Sequence, residues 1–69
     1  MGKEIRIPKS MLNKIEGKLR MPLHINYISN NITKRSLSET KEILNKLIEE
    51  GVVIESEISK DFYSLNTKN

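Results

Sequence analysis

The stretch RSLSETKEILNKLIEEGVV, from Arg35 to Val53, constrains the fold more than any other part of this chain, because it carries both ends of a helix and the face it must bury. Ser36 followed three residues later by Glu39 is a capping box. The serine oxygen accepts from the third helical amide while the glutamate reaches back to the serine's own amide. Thr40, Ile43, Leu44, Leu47 and Ile48 recur at helical spacing and form one apolar stripe. Gly51 supplies the residue that tolerates a left-handed stop. A helix over residues 36–50 is therefore predicted, and its stripe requires other elements to cover it.

Those elements must come from the same small chain. At 69 residues it is one domain, with a core worth roughly 3 to 5 kcal/mol and no room for a large buried cavity. It contains no cysteine, which excludes disulfides and thiolate metal sites and favours a reducing interior. No apolar run approaches the roughly 18 residues of a membrane span, and the basic start MGKEIRI leads into no signal-peptide core. A soluble, cytoplasmic protein is expected. Arg6 stands where a myristoylation signal has Ser or Thr.

Before the capped helix, GKEIRIPKS alternates Ile5 and Ile7 with charges up to Pro8, so residues 1–8 read as an arm or short strand. KSMLNKIEGKLR then places Met11, Leu12, Ile15 and Leu19 on one face, predicting a first helix over 9–20 that Gly17 weakens by about 1 kcal/mol relative to Ala. Pro22 suits the first position of a short second helix over 22–31, carrying Leu23, Ile25, Tyr27 and Ile28 and closed by Asn30 and Asn31. ITKR is a polar turn anchored by Ile32. Beyond Gly51, VVIESEI and DFYSL flank Ser59, Lys60 and Asp61 as a hairpin over 52–66, followed by a tail, 67–69. One of Phe62 and Tyr63 is expected to anchor the hairpin to the helices. The fold class is α+β and mostly helical.

Charge divides the chain. Residues 1–35 carry eight basic side chains against two acidic ones, a balance of +6, and residues 36–69 carry four against seven, a balance of −3. The asymmetry suggests a polyanionic partner for the first half, beside the plainer reading of solvated helix faces.

Helix, short helix, turn, capped helix ending in EEG, then hairpin is an order of elements that resembles the winged helix-turn-helix regulators. SLSETKEILNKLIEEGVVIE followed by FYSLN looks like their third helix and wing. Leu44 and Leu47 stand seven and four residues before Gly51, and Ser36 stands at the cap. The likeness covers residues 9–66 and identifies no subfamily. Two features depart from it: the turn before the third helix is longer and has Asn31 in place of glycine, and Lys60 is the only base at the wing tip.

The resemblance implies sequence-specific binding of double-stranded DNA by a small transcription regulator. Leu37, Ser38, Lys41, Glu42 and Asn45 would face base edges, with Asn45 suited to adenine, Glu42 to a cytosine amine and Lys41 to guanine. Thr33, Lys34, Arg35 and Ser36 would meet phosphates, and Lys60 the backbone or minor groove. The rival reading is a winged helix used to dock protein in a transcription, replication or division complex. A homodimer through Ile5 to Ile7 or the first helix is a further expectation.

The four glutamates against two lysines between Ser36 and Glu50 do not exclude DNA. Glu39 caps, Glu42 is spaced to pair with Lys46, and Glu49 and Glu50 lie about 16 Å along the helix from Ser38. His24 is the only histidine, without Cys or acidic neighbours at ligand spacing, and reads as a solvent-facing helix residue rather than a metal ligand. Glu55 and Glu57 share a strand face by alternation and read as its wet side, not as a catalytic pair. The sequon Asn31-Ile32-Thr33 has no secretory context. No enzyme activity, cofactor, metal, membrane or small-molecule substrate is expected.

Overall fold

The computed structural model describes residues 6–66. Three helices pack against a three-stranded antiparallel sheet. In chain order these are α1 (Lys9–Lys18), β1 (Leu23–His24), α2 (Ile25–Ile28, continued by a π-helical turn Ser29–Thr33), α3 (Leu37–Glu49), β2 (Val53–Glu55) and β3 (Phe62–Leu65). Among the described residues no helix is long and apolar enough to cross a membrane.

The capped helix forms where its signals place it. Ser36 Oγ accepts from the Glu39 amide at 3.2 Å, and Gly51 takes a φ of 82°. The reciprocal half of the box differs from expectation. The Glu39 carboxylate lies 3.5 Å from Ser36 Oγ and 3.8 Å from Arg35 instead of returning to the serine amide. The Glu42–Lys46 pair is also replaced, because Lys46 reaches Glu50 at 3.7 Å, nearer the end of the helix where a cation meets the carbonyl end of the dipole.

Helix α1 buries Met11, Ile15 and Leu19 with Leu12 beside them, and stops at Lys18 rather than Arg20. The stop has a tertiary cause: the Leu19 carbonyl accepts from the Leu65 amide at 2.8 Å, tying the helix end to β3. The second helix departs further from the reading 22–31. Leu23 and His24 are a strand, paired with Tyr63 and Phe62, and the helix starts only at Ile25. Two residues are too few to show alternation, so the extended state is set by the pairing with β3. The helix also runs past Asn31, whose side chain donates to the Tyr27 carbonyl at 3.2 Å, and closes at Lys34 with φ 56°.

His24 is accordingly no solvent-facing helix residue. It ends β1 half-buried, its ring edge-on to Phe62 with centroids 5.1 Å apart, and its Nδ1 accepts from the Asn26 amide at 3.0 Å to cap α2.

The hairpin pairs Val53 with Leu65, Ile54 with Ser64 and Glu55 with Tyr63, giving the strand order β1-β3-β2. Its connection is the six-residue loop 56–61, longer than a turn at 59–61, with Ser56 Oγ accepting from the Ile58 and Ser59 amides. Glu57 therefore lies in the loop and not beside Glu55 on a strand. Of the two aromatics, Tyr63 is the anchor at 1% exposure, in one core with Ile15, Leu19, Ile28, Leu44, Leu47 and Val53.

Among residues 1–8, only Arg6, Ile7 and Pro8 are described. They form no strand, and Ile7 packs against the core. Ile5 and the tail 67–69 lie outside the described residues.

Burial pushes the Tyr63 hydroxyl above its ordinary pKa of 10.0, and the charges of Glu55 and Asp61 push it further the same way. The fold thus favours the neutral phenol. Its contribution to stability is complete below about pH 10 and is lost as pH rises through the higher folded value. Urea denaturation from pH 8 to 11 should show stability falling over the alkaline limb, and Tyr63→Phe, which cannot ionise, should flatten that fall.

Candidate nucleic-acid interface

At about 100° per residue, Ser38, Lys41, Glu42 and Asn45 fall within an arc of roughly 100° on α3, opposite the buried stripe. All four are exposed, as is Leu37 at 49%. Among the described residues Glu42 makes no ion pair, so its carboxylate stands free on this face beside the amide of Asn45 and the ammonium of Lys41.

The turn leading into the face is built by three hydroxyls. Thr33 Oγ1 and Thr40 Oγ1 share a hydrogen bond of 2.8 Å, Thr33 Oγ1 also accepts from the Arg35 amide at 3.3 Å, and Ser29 Oγ donates to the Arg35 carbonyl. All three residues are buried. Together they satisfy the polar backbone of a turn pressed against the core, which leaves Lys34 and Arg35 to point outward; both are exposed.

This revises the set of phosphate candidates. Thr33, at 5% exposure, has its hydroxyl committed inside the protein and cannot reach a phosphate. Ser36 is exposed, but its Oγ is held by the cap. Lys34 and Arg35 remain, and Lys60 is exposed in the hairpin loop. Thr40 carried the signal for the missed contact: a threonine in an apolar stripe needs a hydrogen-bond partner, and Thr33 is that partner.

Two residues join the face without having been anticipated. His24 and Asn26, from the end of β1 and the start of α2, line an open cleft of about 370 Å³ with Leu37, Ser38, Lys41 and Asp61. Because His24 Nδ1 accepts a hydrogen bond, the neutral ring carries its proton on Nε2 as a donor. No local pattern marks these two positions; the β1–β3 pairing and the Ile25 amide bond to the Asp61 carbonyl, 2.9 Å, bring them here. Among the described residues no group of three His, Asp or Glu is placed to hold a metal ion.

No protein-family model, curated protein or solved structure matches this chain.

The hydroxyl cluster gives a direct test of the turn. Thr40→Val keeps the shape and removes the partner of a buried hydroxyl, which should cost about 1 to 3 kcal/mol. A melting temperature unchanged by that substitution would contradict the cluster.

Proposed function

We propose that this protein is a winged helix that binds double-stranded DNA sequence-specifically as a small transcription regulator. It lays α3 in the major groove, with Lys34, Arg35 and Lys60 on the backbone. One observation carries the reading: the exposed polar face of α3, Ser38, Lys41, Glu42 and Asn45, is continuous and begins next to two outward-turned cations. The side chains on the face are those that discriminate base edges, and the cations beside it are those that hold phosphate. The architecture supports the same reading. A short strand between the first two helices and a hairpin after the third make a sheet of order β1-β3-β2. The site is a binding surface and not a catalytic one.

Selection from random duplexes should enrich a short motif, and Asn45→Ala should change which base is preferred at one position while leaving backbone affinity nearly intact. A good bidentate pair carries about 1 to 3 kcal/mol of discrimination, so the preference should relax by about tenfold or more. An identical motif from the variant would remove Asn45 from the reading face.

A second reading, a winged helix that docks protein in a transcription, replication or division complex, has its own supporting observation. Glu55, Glu57 and the exposed Ile54 and Ile58 give the hairpin an acidic and apolar surface that suits protein better than DNA.

A further inference from the structure

The hairpin and α1 present surfaces of opposite character. On the outer side of β2 and β3, Ile54, Ser56, Glu57, Ile58 and Ser64 line a shallow hollow of about 440 Å³. Ile54 is 42% exposed and Ile58 95% exposed. Glu55 and Glu57 line the same hollow, so this apolar patch lies beside two carboxylates.

On α1, helical spacing gathers Ser10, Lys14, Gly17 and Lys18 on one strip without an acid among them. All four are exposed, and the exposed Arg20 and Met21, the latter at 63%, follow directly. Gly17 sits in mid-helix with nothing within 4 Å of where a Cβ would stand, so packing within the chain does not require a glycine there. It costs the helix about 1 kcal/mol relative to Ala and leaves a low point between two lysines.

We infer that the acidic, apolar face of the hairpin docks on the basic strip of α1 of a second copy of this chain. Ile58 seats over Gly17, while Glu55 and Glu57 lie near Lys14 and Lys18. The occupant follows from charge. The acidic hairpin of one copy meets its complement in the basic strip of another, either twice across a two-fold axis or once at each head-to-tail step. The contact leaves α3, Lys34 and Arg35 uncovered, although it engages the loop that also carries Lys60, and it does not depend on DNA, so it goes beyond the proposed function and is tested without nucleic acid. An interface built on so few side chains is smaller than a standard one, and association should be weak and salt-sensitive.

Sedimentation velocity on the intact chain tests it. The native protein should form dimers or longer species as concentration rises at about 50 mM salt, and these should weaken by at least about tenfold at about 500 mM. Glu55→Lys with Glu57→Lys should be monomeric alone, as should Lys14→Glu with Lys18→Glu. Mixing the first with the second sets a native hairpin against a native strip and a reversed hairpin against a reversed strip, both complementary, so the mixture should associate although neither variant does alone. Gly17→Gln adds no charge and improves the helix, so it should raise the melting temperature while weakening association about tenfold; this separates docking from folding. A native chain that stays monomeric at low salt overturns the inference. So does association that survives in either charge-reversed variant alone, or a mixture that stays monomeric.

Discussion

Leu44→Ala should leave a large part of the protein unfolded at 25 °C. Leu44 is fully buried at the centre of α3, in the cluster that also holds Ile15, Ile28, Leu47 and Tyr63. Truncating a buried leucine costs about 2 to 5 kcal/mol, from lost transfer energy and from the cavity that surrounding side chains fail to fill. A single core in a chain of this size supplies only about 3 to 5 kcal/mol in total, so the two quantities are of the same order. No disulfide can compensate, since the chain has no cysteine. Circular dichroism should show helical signal lost and a broadened or absent thermal transition. A cooperative melt at the native temperature would place Leu44 outside the core and would undo the packing of α3 described above.

The second large effect concerns the turn. Reversing both cations, Lys34→Glu with Arg35→Glu, should reduce affinity for every duplex by more than about a hundredfold. Each phosphate that is neutralised releases condensed counterions, and a carboxylate in the same place adds repulsion from the strand it formerly held. The loss should be uniform across sequences, because in the proposed reading these side chains would position the helix and read no base. Folding should hardly change. Both side chains are exposed, and the Arg35–Glu39 pair is a surface contact of 3.8 Å of the kind worth about 0.5 kcal/mol or less. A native melting curve together with lost binding is therefore the expected pairing of results. Retained binding would move the interface away from this turn.

The elements that could be read in the sequence are those whose signals are local. Ser36, the stripe from Thr40 to Ile48 and Gly51 define α3 within one residue of its observed bounds, and Met11, Ile15 and Leu19 define the face of α1. The hairpin was legible because two β-rich runs flank a polar connection. What was not legible depends on distant residues. Leu23 and His24 become a strand only because Phe62 and Tyr63 offer a partner, and that pairing delays the start of α2. The π-helical turn from Ser29 to Thr33 is tied to α3 by hydroxyls that meet across seven residues, Thr33 with Thr40. It moves the left-handed position from the asparagines to Lys34, a residue type that rarely adopts it.

The same division holds for the candidate site. The positions Ser38, Lys41, Glu42 and Asn45 share a face because helical spacing puts them there, and the sequence alone is enough to say so. The residues expected near phosphates differ in their exposure. Lys34 and Arg35 emerge on the surface, but Thr33, chosen for its residue type, turns inward to satisfy Thr40. His24 and Asn26 reach the edge of the face through strand pairing alone.

The central claim is that this face meets DNA, and its most direct test is fluorescence anisotropy of a labelled duplex titrated with the native chain at several salt concentrations. With Lys34, Arg35 and Lys60 near phosphates, log affinity should fall against log salt with a slope of about −3. No binding at about 50 mM salt, where electrostatic contacts are strongest, would contradict it and leave the α3 face to a protein partner.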